Sequence, residues 1–433
     1  TALTLALTLF RFLDGDELEH VHSTWHVLRG ARPYVDFFQH HHSLLWYVLA
    51  PLLAIAGESA RTVVVFRLGF FLLTLVIAWA TYRLALECRA SRQAAWLSVC
   101  LLLSMTTFVY VAIEIRPDVP QALCGVVSAM YFVRMLRTRR VRDALLSGVF
   151  AALAFLFLQK AVLLLALYPV PFVVLAVRRQ LPWRLGLCLA GAFAATCAPG
   201  IAYLAVTGSF DEYLLASWLL NAGVGAGRAR VSFLDPFVLR DFARNAVFWG
   251  LTLAMLATLL RRGRRAGYAL PAWFGLGLVT LIFALNRVVD RYLAAAVPFL
   301  AVAAGLWLAD EVERRRIRGP RFAAVLLVIC LVLAAVVGWN LYQRQRNTRR
   351  EEASRLLPVS QTIPELEQLV GKYAAAPVAP LARLKLAKAH YDAGQYQLSL
   401  DVYDAFLAVP GCELVSHFRD TKVTGPHLGE PGT

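Results

Sequence analysis

The sequence predicts an all-α fold: a polytopic transmembrane helical bundle of about eleven spans followed by a small helical C-terminal tail. Composition is the first reason. The 433 residues are 59% hydrophobic and only 17% charged, whereas soluble domains average roughly 45–50% apolar and about 25% charged. The second is the recurrence of apolar runs long enough to cross a hydrocarbon layer about 30 Å thick. The third is the placement of basic residues, which cluster in every second connection between those runs. The formal net charge of +16 would suggest a nucleic-acid partner in a soluble chain. Distributed in this way it is the positive-inside signal of a membrane protein, and no nucleic-acid partner is expected. Seven cysteines without CxxC spacing give neither a disulfide framework nor a zinc site.

Residues 1–10, TALTLALTLF, read as the end of a first span whose start precedes Thr1. Further spans are expected over 62–86, 94–113, 119–136, 144–158, 161–177, 185–206, 246–260, 268–285, 292–309 and 322–341. The pair 144–158 and 161–177 is short, with only Gln159 and Lys160 between, and reads as a tight hairpin or a less regular element. Arg89 and Arg92, the 137–142 and 178–184 clusters, Arg261–Arg265 and Arg314–Arg321 mark the cytoplasmic connections. Loops 14–61, 114–118, 159–160, 207–245 and 286–291, and the tail from about 343, then face outward. This parity requires that 44–57, which holds Pro51, does not cross; it reads as a juxtamembrane or re-entrant helix.

Beyond residue 350 the composition becomes soluble. Residues 386–410 carry Leu386, Ala387, Ala389, Gly394, Tyr396, Tyr403, Phe406 and Pro410 at the packing and turn positions of a helix–turn–helix unit, with Ser399 where a small residue is usual. The unit resembles one tetratricopeptide repeat. A single repeat needs a neighbour to bury its face, and 363–376 can supply a helix. The resulting division is a membrane domain over 1–342, a linker over 343–362, a tetratricopeptide-like segment over 363–415 that offers a surface to a protein partner, and a disordered tail over 416–433.

Chemistry is concentrated in the first outer loop. Asp14, Asp16, Glu17 and Glu19 leave the first span, followed by His20, His22, His26, Gly30, Pro33-Tyr34, Asp36 and His40-His41-His42. A solvated loop explains any one of these. His22 and His26 at i, i+4 would suit a metal, but no HExxH pattern accompanies them. A carboxylate at the membrane surface could instead act as a general base. Glu114-Ile115-Arg116-Pro117-Asp118 fills the second outer loop. Asp290-Arg291-Tyr292-Leu293 precedes Pro298. Lys160 is the one lysine before position 350. It either snorkels to the interface or finds an anion.

Asp16-Glu17, Gly30, Pro33-Tyr34, Asp36-Phe37-Phe38, His40-His41-His42, Leu44 and Pro51 together resemble the first outer loop of the GT-C glycosyltransferases. The similarity is to the branch that contains dolichyl-phosphate-mannose protein mannosyltransferases and the lipid A aminoarabinose transferase. It extends to the acids of 114–118 and to the RYLxxxxP feature at 291–298, over roughly residues 1–340. The resemblance implies catalytic roles for Asp16, Glu17, Glu114 and Asp118. Tyr34, Asp36, His40 and His41 are further first-loop candidates. Lys160, Arg291, Arg116 and Arg287 are the cations available to a donor phosphate. No cofactor is demanded, but Asp16 and Glu114 are the residues that could hold a divalent Mg or Mn ion.

The function expected is transfer of a sugar from a polyprenyl-phosphate donor to an extracytoplasmic lipid, glycan or protein acceptor, by a multi-pass protein of a bacterial inner membrane. The alternative class is a transporter or flippase of a lipid-linked or polar substrate, which would show inverted repeats and ionisable groups near the membrane midplane. The sequence shows no internal repeat, and its acids gather at one face. A scaffold driven by the tail would leave the first-loop acids unexplained.

Overall fold

The computed structural model describes residues 5, 8–9, 15–220, 236–262, 267–284, 290–314, 356–373 and 379–407. The chain divides into two compact units, Thr1–Cys330 and Leu331–Thr433. Among the described residues the regular secondary structure is all helix, apart from one isolated bridge between Pro33 and Phe37. Most of the expected first span, the run 322–341, Arg287 and the segment 416–433 lie outside the described residues.

Helix α1 (Gly15–Leu28) carries the acidic pair in its first turn and ends in a glycine cap. Gly30 adopts a φ of +84°, and the amides of Gly30 and Ala31 bond back to Val27 and His26. This closure turns the chain so that α2 (Leu44–Ala56) packs along α1. At 13 residues α2 is too short to span a bilayer. Next come α3 (Ala60–Glu87), α4 (Arg92–Ser104), α5 (Thr106–Ala112), α6 (Asp118–Thr138) and α7 (Val141–Phe157). A 3-10 turn over Gln159–Ala161 leads into α8 (Val162–Leu165) and α9 (Pro169–Val177). Helix α10 (Arg184–Val206) packs on α7, and α7 packs on α6.

The later part contains α11 (Phe210–Leu214), α12 (Pro236–Arg244), α13 (Ala246–Arg262), α14 (Ala269–Ala284), α15 (Asp290–Leu293) and α16 (Val297–Arg314). Every residue from Val297 to Trp307 is buried, so α16 is the central post of this unit. It lies close to α4, because a Cβ on Gly305 would sit 3.0 Å from the Ser98 Cα and amide nitrogen. In the second unit α17 (Ile363–Lys372) packs on α18 (Ala379–Asp392), which pairs with α19 (Tyr396–Leu407) across Gly394 at φ +76°. Ser399 fills its small-residue position by donating to the Ala387 carbonyl at 2.7 Å.

Four described helices are long and apolar enough to cross a membrane, or six if two bent pairs each count as one span. Two of the unbroken runs read off the sequence, 94–113 and 246–260, belong to these bent pairs. Run 94–113 turns by 77° between α4 and α5, and α12 meets α13 at 95°. Breaking a helix at membrane depth frees backbone groups that need partners. Here the two breaks supply each other: Asn245 Oδ1 accepts from both the amide and the hydroxyl of Thr106 at 2.8 Å. Asp241 accepts from Thr107, from Asn245 at 3.1 Å and from the Trp249 indole at 3.4 Å.

Described parts of three expected outward loops, 14–61, 114–118 and 159–160, meet at one end of the bundle. Contacts from α1, the 113–117 turn, the 159–161 turn and Tyr292 meet there. Glu87 at the end of α3 pairs with Arg137 at the end of α6, and Arg134 reaches Asp143 at 3.6 Å. Helix α6, 21 residues and so about 30 Å long, separates the two groups. Membrane-impermeant thiol reagents should therefore label F38C and R139C from opposite sides of sealed vesicles; labelling of both from one side would contradict this placement.

Candidate active site

The site is assembled from helix ends and turns. Asp16 and Glu17, neighbours in the first turn of α1, point about 100° apart, and the structure gives them different partners. Glu17 is fully buried and takes a two-point hydrogen bond from Arg67 of α3, with Nε to Oε1 at 2.9 Å and Nη2 to Oε2 at 2.5 Å. The Ile115 amide adds a third bond at 3.3 Å. Arg67 lies inside an apolar run, where an unpaired guanidinium would be costly. Glu17 therefore fastens α1 to α3 and to the second outer loop. The Glu17 carboxylate, expected as a catalytic acid, is buried against Arg67 and the Ile115 amide and does not face the open edge where Asp16 lies.

Asp16 is half exposed and hydrogen-bonds Arg116. Arg116 also lies 3.3 Å from Asp118 and 3.6 Å from Glu114. Burial lowers its pKa, but the three carboxylates outweigh burial and raise it, so it stays charged. Asp118 faces a second cation, the Lys160 ammonium, at 3.8 Å. The 3-10 turn carries Lys160 over the Tyr292 ring, 3.4 Å from its centroid, and Gln159 holds that turn by donating to the His40 carbonyl at 2.7 Å. Three carboxylates and two cations thus form one cluster with a formal negative charge in excess.

The histidines border this cluster. His20 lies one helical turn from Asp16 and is buried. The Trp46 indole, a donor only, gives its N–H to His20 Nδ1 at 3.3 Å, so that nitrogen carries a lone pair and the ring is neutral. Burial, aided by Arg116, pulls the His20 pKa to about 4. His41 is buried beside it, and burial with Lys160 holds it well below the usual imidazole range. His40 lies against His41 with its ring tilted by 40°, and its pKa is lowered by burial first and then by Lys160. His42, which sequence reasoning did not single out for chemistry, donates from Nδ1 to the Phe155 carbonyl at 2.6 Å and accepts the Tyr213 hydroxyl at Nε2 at 2.9 Å. It pins the loop to α7 and to the segment after α10.

Two first-loop candidates sit apart from the cluster. Tyr34, at a φ of +74°, turns its buried hydroxyl to the His41 carbonyl at 2.7 Å and shapes the loop. Asp36 is exposed and pairs with Arg32 at 3.2 Å, which lowers its pKa. Arg287 and the Arg291 side chain lie outside the described residues. Among the described residues no three His, Cys, Asp or Glu side chains are placed to hold a metal ion. Between Asp16 and Glu114, the residues expected to hold one, lies the Arg116 guanidinium. Arg67 and the Asp241–Asn245 lock were missed; an arginine inside an apolar run was a legible signal for the first.

Two outcomes follow from this geometry. Glu17→Gln leaves Arg67 buried without its counter-charge and should cost about 3–5 kcal/mol of stability, measured by thermal unfolding in detergent, whereas Asp16→Asn at the exposed edge should cost far less. His20 and His42 have folded pKa values lowered to about 4, from an ordinary value of 6.5. The stability they contribute is present above pH 6.5 and is lost as pH falls toward 4, by at most about 3 kcal/mol each. The melting temperature should drop across that window, and His20→Gln should flatten the drop.

Comparison with known proteins agrees with this architecture. Residues 41–203 match the family model described as dolichyl-phosphate-mannose-protein mannosyltransferase. The structure is similar to ArnT from Cupriavidus metallidurans bound to undecaprenyl phosphate, at 15% identity and a TM-score of 0.59, over 94% of this chain and 74% of that one. It is likewise similar to ArnT in the apo state, with a TM-score of 0.57. It also resembles the archaeal oligosaccharyltransferase AglB from Archaeoglobus fulgidus, in complex with an inhibitory peptide and a dolichol-phosphate, at 15% identity and a TM-score of 0.50, over 76% of this chain and 53% of AglB. No curated protein sequence matches the chain. The tetratricopeptide likeness of the tail is not among these matches. The chain has the fold of the GT-C membrane glycosyltransferases, and its family-model match lies in residues 41–203.

Proposed function

We propose that the chain is an integral membrane glycosyltransferase that moves a sugar from a polyprenyl-phosphate carrier to an acceptor hydroxyl on a lipid, glycan or protein outside the cytoplasm. The observation that carries this reading is the charge cluster at one end of the bundle, where half-exposed Asp16 and the Lys160 ammonium belong to one ion network. The family match and the lipid phosphates bound to ArnT and AglB support a carrier of that class. The Arg-rich connections at the opposite end argue that the cluster faces outward, in a bacterial inner membrane.

In the displacement, the acceptor oxygen attacks the anomeric carbon, and the bond from that carbon to the phosphate oxygen breaks. The electron pair leaves on the phosphate, and the acceptor proton passes to Asp16. Lys160 has three N–H donors, its ion pair with Asp118 is long at 3.8 Å and its other described contact is the face of the Tyr292 ring, so it can take a phosphate oxygen as a charge-assisted partner. Arg116 is already encircled by acids, and its first duty is to orient Asp16 and Asp118. A phosphate drawn to Lys160 and Arg116 competes with Asp16 for the guanidinium. Its arrival loosens that pair and leaves Asp16 the stronger base. Glu114 keeps Arg116 in place throughout. A divalent Mg or Mn ion at Asp16 and Glu114 would have to displace Arg116. Arg291, within α15, and Arg287 remain further candidate cations for the phosphate.

Asp16→Asn keeps volume and hydrogen bonding but cannot accept a proton, so turnover should fall by at least about a hundredfold while undecaprenyl phosphate still binds. Lys160→Met should weaken undecaprenyl phosphate binding by about 1.5–3 kcal/mol. Transfer assays with purified protein in nanodiscs, and titration of the lipid phosphate, measure the two effects; normal turnover of Asp16→Asn would remove the base from this scheme.

A further inference from the structure

Beside the charge cluster the first outer loop encloses an open cleft of about 430 Å³, within the size range of small-molecule sites, ~300–1,000 Å³. It begins one helical turn from Asp16, at Glu19, and its far wall is the 37–40 segment. The mechanism uses none of its lining.

The wall is a run of stacked rings. His22 meets His26 edge-on at 4.4 Å between centroids, His26 stacks on Phe37 at 4.9 Å with 17° between planes, and Phe38 lies nearly parallel to His40 at 6.4 Å. The Phe38 ring is 67% exposed, a large apolar surface left open to the cleft's surroundings. Planar polar groups stand beside these rings. The Gln39 amide nitrogen donates to Glu19 Oε1 at 2.9 Å and to Ser23 Oγ at 2.8 Å. Those two bonds fix the amide, and its carbonyl oxygen, on a side chain only 3% exposed, has no partner among the described residues. A buried acceptor left unmade costs free energy that a donor from a ligand can recover.

Charge separates the candidate ligands. The cleft carries one carboxylate, Glu19, and no lysine or arginine lines it, so a phosphate or other anion finds no counter-charge there. A bound metal would want three converging ligands, which the described residues do not provide. A purely apolar tail would leave Glu19 and Gln39 desolvated. A neutral sugar ring meets all of these demands: its C–H face is apolar and weakly positive, suited to the negative face of an aromatic ring, and its hydroxyls both donate and accept.

We propose that this cleft is the acceptor subsite and that it binds a neutral pyranose, with Phe38 as the stacking platform and Glu19 and Gln39 as the hydroxyl partners. The proposal rests on the transferase reading and narrows its acceptor to a glycan. Glu19, one turn along α1 from Asp16, and His40, whose carbonyl accepts from Gln159 beside Lys160, put the bound ring next to the cluster.

Saturation-transfer-difference NMR on the full chain in nanodiscs tests this with methyl glycosides of neutral hexoses, and with glycerol 3-phosphate as the charged comparison. Ring protons of at least one glycoside should be saturated, and Phe38→Ala, at an exposed position, should reduce that signal severalfold, as should Gln39→Leu. Neither variant should change the affinity for undecaprenyl phosphate or for undecaprenyl phosphate bearing a hexose. No glycoside saturation in protein that still binds undecaprenyl phosphate overturns the subsite and leaves the transferase reading standing. Saturation of glycerol 3-phosphate that Phe38→Ala abolishes overturns its neutral character. If Phe38→Ala weakens only the hexose-bearing lipid, the cleft belongs to the donor sugar and the acceptor assignment fails. Failure of wild-type protein to bind undecaprenyl phosphate strikes the transferase reading itself, and the glycoside result is judged separately.

Discussion

The buried Arg116 guanidinium organises this end of the molecule. It joins three carboxylates from two parts of the chain: Asp16 on α1, and Glu114 and Asp118 around the second outer turn. Any one of those acids beside a hydrocarbon layer would be costly alone. Around a shared cation they hold α1, the 113–117 turn and the start of α6 in one place. Through Asp118 the network reaches Lys160, and through Lys160 it reaches the Tyr292 ring. Four separate stretches of sequence thus converge without a common secondary-structure element. The second buried pair, Arg67 with Glu17, fixes α1 on its other side. Asp16 is left as the acid on the open edge.

Much of this was legible because a membrane chain makes charge conspicuous. In a sequence with 17% charged residues, acids after a span, an Arg between acids and a lone Lys between apolar runs stand out against their background. These are the residues the structure brings together. The same logic applied to Arg67 would have found the Glu17 anchor, since an arginine within a run such as 62–86 demands a partner. Asp16 and Glu17 were not separable by sequence position. What separates them is the direction of each side chain on α1, and that depends on how the helix sits against α3.

The spans were less legible, for a different reason. Hydropathy reports how apolar a run is and says nothing of whether it stays straight. The run 94–113 has an apolar composition through Met105, yet it turns there by 77°. The turn is stabilised by Asn245 and Asp241, residues about 140 positions away at the α12–α13 break, in a stretch that reads from sequence as a loop without a motif. A nonlocal polar lock of this kind leaves no periodic trace. Tyr34, Asp36 and the histidine run are a third case. Their residue types suggest chemistry, but Tyr34 and His42 spend their polar groups on shaping the loop, and Asp36 on a surface ion pair.

The central claim is that the Asp16–Arg116–Asp118–Lys160 cluster receives the phosphate of a lipid carrier. Electron cryomicroscopy of the full chain in nanodiscs with undecaprenyl phosphate tests it most directly. The account predicts density for the phosphate within hydrogen-bonding distance, about 2.7–3.2 Å, of the Lys160 ammonium, with the Asp16 carboxylate open to solvent beside it. A phosphate resolved elsewhere, with the Lys160–Asp118 and Arg116–Asp16 pairs unchanged, would contradict it.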